Sequence, residues 1–278
     1  MAEHLGDPGA VLVVDETGDL KKGSTTVGVT RQYTGTAGRV ENAQVAVYLT
    51  YASDKGHAIE DRELYLPRDW TTNAERLQAA GVPGPVQLAT KPTLATAMIC
   101  RALDASTPTG WVAGDEVYGA NPQLRTTLEA RRVGYVLAVA CHHRSPLAGV
   151  AAGLTGWPPL SPGAPGSRSR PAAAPRATAT TTGRSSASTM TAPPLLYAVP
   201  DAAGPPGVGG RATLEGRGDL PNRQGLAGLD QHQLRRWNSW YRWVTLAMIA
   251  AAFLAVAAMA ERARHPTHQG WSRSPATS

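Results

Sequence analysis

Two segments of this 278-residue chain join residues that can do chemistry to the local structure that would hold them. In VLVVDETG an apolar run ends at Asp15, and in WVAGDEVYG another ends at Asp115. Each run has buried-strand character and passes directly into an Asp-Glu pair and a glycine turn, which places a carboxylate at the rim of a sheet. A single strand-end carboxylate is commonly a turn former. Two of them on rigid strands suggest a shared metal, because hard divalent cations such as Mg2+ need convergent oxygen ligands. Two ions held this way can activate a water or a 3′-hydroxyl and stabilise the leaving oxygen during in-line attack on a phosphodiester. A third carboxylate normally completes such a site.

The elements that must position the pair are legible over residues 11 to 144 as an alternating α/β domain. VLVVDE is a short buried strand, and TTVGVTRQYTG and ENAQVAVYLTYAS are β-branched runs with Gly35 and Gly38 in a hairpin-like turn between them. AIEDRELYLP alternates as a strand with one solvated face and ends at Pro67. KPTLATAMICRALDA has apolar residues near helical spacing and Pro92 near its start. WVAGDEVYG then reads as a strand and NPQLRTTLEARRVG as a helix capped by Asn121 and closed by Gly134. YVLAVAC reads as the last strand. The β-β-β-α-β-α-β order predicts an RNase H-like mixed sheet flanked by helices.

Beyond Ser145 the character changes. Residues 145–225 are rich in Ala, Pro, Arg, Ser and Thr without an apolar period, which predicts a flexible or disordered segment. Order returns at Leu226, where one or two helices are expected up to residue 264, and a frayed polar tail follows over 265–278. Trp243 to Ala260 are 18 residues with Thr245 as their one polar member, long enough to span a membrane. Eight of them are Ala, and Arg235, Arg236, Arg242 and Glu261 flank the run. That composition favours a fully buried core helix, and no membrane partner is expected.

The net charge of +6 is carried mostly by Arg, with no Lys after Lys91, and Arg pairs bidentately with phosphate, so the balance favours a nucleic-acid partner. GC-rich coding enriches Arg for unrelated reasons, so the weight of this is modest. Cys100 and Cys141 have no metal-ligand spacing and read as buried free thiols in a reducing compartment. MAEHLGDPGA has neither the basic nor the apolar region of a secretory signal, so a cytoplasmic protein is expected. A core strand beginning at Val11 predicts that something upstream is missing.

The blocks VVDETGDLKKG, RQYTGTAGRVENAQVAVYLTYAS, DRELYLPRDW, WVAGDEVYG and GLDQHQLRRWNSWYRWVTLAM resemble the DDE-type transposases of bacterial insertion sequences, over roughly residues 11–144 and 225–260. The resemblance implies an RNase H-like core that cuts and joins DNA at the ends of its own element with two Mg2+ ions. It also implies assembly as a homo-oligomer, or mixed assembly with an intact transposase. Carried over, Asp15 is the first metal-binding acid and Asp115 the second. Glu16 and Glu116 adjoin them without being ligands. Lys21, Lys22, Arg31, Arg39 and Arg62 are candidate phosphate contacts, although such cations are often only solvated charges.

In that family the third acid is a Glu in a helix resembling W-x-V-E-E-x-F-Q-x-x-K-G, shortly before the GLDQHQ block. This chain has RATLEGRGDLPNRQG there, and Gly216, Gly218 and Pro221 around Glu215 oppose a helix. Back-translated and read one base on, residues 209–225 can yield RPWRVEEIFQTGK, the family motif. Residues 165–184, read in the other offset, can yield WQPLSAGGGAKGHRYYDWA. Both readings use freely chosen synonymous codons. They imply a decayed copy whose middle is translated out of frame through at least three indels, and no strand transfer by this chain. The rival readings are a non-catalytic DNA-binding or interfering remnant and a membrane-anchored protein.

Overall fold

The ENAQVAVYLTYAS run forms the longest strand, β3 (Arg39–Ser53), and this strand organises the sheet. A computed structural model describes residues 2–84, 86–139, 195–198, 229 and 232–265. All of these lie in one of the two units of the chain, residues 1–140 with 194–278, the other unit being residues 141–193. One edge of β3 pairs antiparallel with β1 (Val11–Leu20), from Ala52 opposite Val11 to Ala43 opposite Leu20. Its other edge takes β4 (Gly56–Leu64) and β2 (Thr30–Thr34) at successive stretches. β1 pairs parallel with β5 (Trp111–Gly114), and β5 pairs parallel with β6 (Gly134–Val139). The resulting order β4-β3-β1-β5-β6, with β3 running against its neighbours, is the RNase H-like mixed sheet expected from the sequence.

Seven helices are found among the described residues: α1 (Ala2–Leu5), α2 (Arg68–Thr71), α3 (Ala74–Ala80), α4 (Lys91–Asp104), α5 (Glu116–Gly119), α6 (Pro122–Ala130) and α7 (Trp237–Arg264). Thr90 caps α4 by accepting from the Thr93 N–H, and Asn121 caps α6 by accepting from the Leu124 N–H, with proline in the first turn of each. Strand alternation then divides the core. Leu12, Val14, Val47 and Leu49 pack with Met98 and Ile99 of α4, Tyr118 of α5 and Leu124 and Leu128 of α6. Ala46, Tyr48 and Leu64 point the other way and pack with Val27, Val29, Trp70 and the α7 residues Trp240 and Val244.

Several expectations are corrected. The strand in WVAGDEVYG stops at Gly114, and Asp115 caps the single turn α5. Gly134 does not close α6; it opens β6, and a side chain there would run into the Trp111 indole, so the left-handed turn falls to Arg132 instead, at φ 55°. Residues 25–29 are not strand, and 232–236 are not helix. Inside the stretch expected to be without order, Leu195–Ala198 forms a further strand, β7, antiparallel to β6. Cys141, the other residues of 145–225 and the tail after His265 lie outside the described residues, while Cys100 is half-buried with a free thiol.

The C-terminal helix is not fully buried. It has the length and composition to cross a membrane, but 22% of its apolar run is buried, through Val244, Ala247, Met248 and Ala255, and Trp240 just before the run is buried as well. Leu246, Ile249, Phe253 and Leu254 stay exposed, Phe253 at 72%. Its polar residues dock on β4: Arg62 Nη2 donates to Thr245 Oγ1 at 2.6 Å, and the Tyr241 hydroxyl donates to Glu63 Oε2 at 3.0 Å. Charged strand groups bonded in this way belong to a helix seated on a sheet.

Candidate functional site

The parallel ladder between β1 and β5 ends at Val14 opposite Gly114, and the next residue on each strand is an aspartate. The two carboxylates therefore leave neighbouring strands, ~4.8 Å apart, at the same level. Both are half-buried, and both are oriented by backbone: Asp15 Oδ1 accepts from the Glu16 N–H at 2.8 Å and Asp115 Oδ1 from the Val117 N–H at 2.9 Å. Alternation places Asp15, Thr17 and Asp19 on one face of β1 and Glu16 on the other.

Glu16 is fully engaged there. Its Oε2 accepts from the Tyr118 hydroxyl at 2.6 Å and its Oε1 from Lys91 Nζ at 2.9 Å, so Lys91 supplies one positive charge to the cluster. The Tyr118 hydroxyl is held far above its ordinary pKa by burial first, then by Glu16, Asp15 and Asp115. One hydroxyl thus senses all three carboxylates. Glu116 is exposed at the start of α5.

The opposite face of β1 carries a second cluster. His232 Nε2 lies 3.1 Å from Asp19 Oδ2, and Lys21 Nζ donates to the His232 carbonyl at 2.9 Å. Lys21 is buried and its ammonium is taken up by that carbonyl, so it anchors the C-terminal segment. Val27 adds a backbone bond to the Arg235 carbonyl at 3.0 Å. The segment holding His232 therefore lies along the same face as Asp15. Of the other candidate phosphate contacts, Arg62 is committed to Thr245 and Tyr241, and Arg39 is paired with Glu41 at 2.7 Å. Lys22 and Arg31 remain exposed.

A family model described as DDE superfamily endonuclease matches residues 1–193 of the 278. The chain belongs to the DDE superfamily endonucleases. A relative from Microchaete diplosiphon, a probable transposase for insertion sequence element IS701, is 33% identical over 135 residues, covering 48% of this chain. The chain spans about a third of that relative's length, 32%. No solved structure matches.

Residues of this DDE chain that sequence reasoning did not single out, Tyr118, Lys91 and His232, are those that engage the neighbours of Asp15 on β1: Glu16 for the first two, Asp19 and Lys21 for the third. Spacing gave no signal for them, since each reaches its partner across 75 residues or more. Among the described residues no group of three His, Cys, Asp or Glu is placed to hold a metal. Two hard oxygen donors, with a third acid already taken up by Lys91 and Tyr118, fit a shared divalent cation in part only.

Tyr118 offers a direct check. It is fully buried, so Tyr118→Phe keeps its volume and leaves Glu16 with Lys91 alone. The expected loss is ~2 kcal/mol in urea unfolding, the scale of a hydrogen bond to a charged group. An unchanged midpoint would remove Tyr118 from the support of the cluster. Tyr48 and Tyr241 are also raised, each by burial first and then by a carboxylate, Asp19 and Glu63 respectively. A phenol held protonated more tightly when folded contributes stability that is complete below the ordinary value of 10.0 and is lost as pH rises above it. Thermal melts through the alkaline range should therefore fall steeply in step with tyrosinate absorbance. Tyrosinate appearing while the fold persists would contradict this.

Proposed function

We propose that this chain is the catalytic scaffold of an insertion-sequence DNA transposase in which Asp15 and Asp115 are the first two metal-binding acids, and that this copy is inactive. The observation that carries the reading is the end of the β1–β5 ladder, where both strands release an aspartate at one level. Mg2+ held by the pair would polarise a phosphodiester and activate the attacking oxygen. The residues of the chain have their own parts: Asp15 and Asp115 would orient the ion, and Glu16 with Tyr118 and Lys91 keeps the strand ends in register.

Inactivity follows from the missing third acid. The stretch where it is expected, residues 209–225, lies outside the described residues. The next described segment, through His232, lies on the Asp15 face of β1, which supports an approach of the missing helix to the two aspartates. Loss of a metal ligand costs orders of magnitude in rate. The test is a Mg2+-dependent cleavage assay on duplex DNA carrying the ends of a related insertion sequence. Cleavage no greater than that of Asp15→Asn is expected, and robust cleavage would refute inactivity. Sequencing the encoding DNA tests the frame reading independently, since codons that cannot give RPWRVEEIFQTGK dispose of it.

A second reading, a non-catalytic copy that assembles with an intact transposase, is favoured by the exposed apolar face of α7 at Leu246, Ile249 and Phe253. Co-purification with a tagged full-length copy tests it.

A further inference from the structure

A cleft of about 570 Å3 opens where β4 ends and β2 begins along the same edge of β3. Thr30, Arg31 and Gln32 line it from β2, and Tyr65, Arg68 and Asp69 line it from the turn after β4. Arg31 and Arg68 are both exposed, whereas the acid in the cleft, Asp69, is neutralised by Arg76 at 3.0 Å. The cleft thus presents two guanidinium groups without a competing carboxylate.

Its walls are fixed in advance. Trp70 is buried and donates its indole N–H to the Val29 carbonyl at 2.8 Å. Arg76 stacks over the same indole at 3.9 Å and donates to the carbonyls of Ser24 and Val29, tying the chain before β2 to α2 and α3. Gly28, at φ +76°, lets that chain pass against the Tyr65 carbonyl. Such preorganisation suits a ligand that arrives with its own geometry.

Tyr65, on one wall of the cleft, leads toward the end of β1. Lys91 Nζ lies 5.9 Å from the centre of the Tyr65 ring and 2.9 Å from Glu16, the residue beside Asp15. We infer that this cleft seats the sugar-phosphate backbone of a DNA strand, with Arg31 and Arg68 each taking a phosphate, and directs that strand past Lys91 toward Asp15 and Asp115. Arginine forks match phosphate oxygens, and the threonine and glutamine add neutral donors. The inference rests on the transposase reading and names the groups that would hold its substrate.

The test is fluorescence anisotropy of the full chain with a short labelled DNA duplex, in EDTA, across a salt series. Arg31→Ala/Arg68→Ala should weaken binding roughly tenfold at about 0.1 M salt and flatten the slope of log K against log salt by ~1.8, the value for two lost phosphate contacts. Its melting temperature should stay that of the parent, because both side chains are exposed. Arg262→Ala/Arg264→Ala removes the same charge at the exposed end of α7 and should leave the slope nearly intact. An unchanged slope in the first variant, or an equal loss in the second, overturns the assignment. Mn2+ titration of the parent beside Asp15→Asn/Asp115→Asn tests the other reading separately: a parent that binds DNA through the two arginines yet binds Mn2+ no better than the double variant keeps the cleft and discards the metal pair.

Discussion

Asp15→Asn/Asp115→Asn is expected to abolish detectable Mn2+ binding, with each single change weakening it more than ~10-fold. Asparagine is nearly isosteric and keeps the oxygen that accepts from the Glu16 or Val117 N–H, so the strand ends and the cap of α5 survive. What goes is the charge. Without metal the double variant should melt higher than the parent, because two carboxylates leaving adjacent strands repel each other and stability has been given up for the site. Titration by electron paramagnetic resonance reads the first effect and a melt in EDTA the second. Parental Mn2+ affinity in the double variant would end the metal assignment, and a lowered melting temperature would show instead that the aspartates are structural.

Gly119→Ala should prevent the folded chain from accumulating, or lower its stability by more than ~3 kcal/mol. A methyl group at Gly119 would occupy the position of the Ala138 carbonyl oxygen on β6, and that atom belongs to backbone held in the sheet. Relief requires α5 to lift from β6. Asp115 caps α5 and Tyr118 lies within it, so lifting the turn would displace one of the two strand-end aspartates and the hydroxyl bound to Glu16 together. The measurement is urea unfolding beside Ala120→Ser, a change at the exposed next residue. Equal midpoints for the two variants would show that the approach of α5 to β6 is not tight.

How much of this the sequence disclosed follows from how local each cause is. Asp15 and Asp115 were legible because apolar runs that stop at an acid report a strand end within a few residues. Asn121 and Pro122 were legible for the same reason, since a cap and its first turn are neighbours. The turn α5 was hidden: four residues are too few to show a helical period, and the sequence continues as smoothly as a strand would. The burial of Lys21 was not legible because the carbonyl that takes its ammonium belongs to His232, 211 residues away. In α7 the apolar residues surround the whole helix, so composition could not say that Trp240 and Val244 face the sheet while Phe253 faces outward. Gly134 looked like a helix stop because a glycine after Arg-Arg-Val usually is one, whereas its place is set by the indole of Trp111.

The parallel pairing of β1 with β5 has a consequence in time. β1 can take β3 as a partner as soon as residue 53 is made, but its second edge stays open until Trp111–Gly114 are available. At ~5–20 residues per second, a ribosome takes several seconds to make the intervening chain, and during that interval Val11 to Val14 present an apolar strand edge to anything nearby. The two aspartates therefore meet only after most of the sheet has assembled around them. Synthesis halted before residue 111 would leave a β1–β3–β4 meander with one unsatisfied edge, a form suited to pairing with other chains and to removal by the cell.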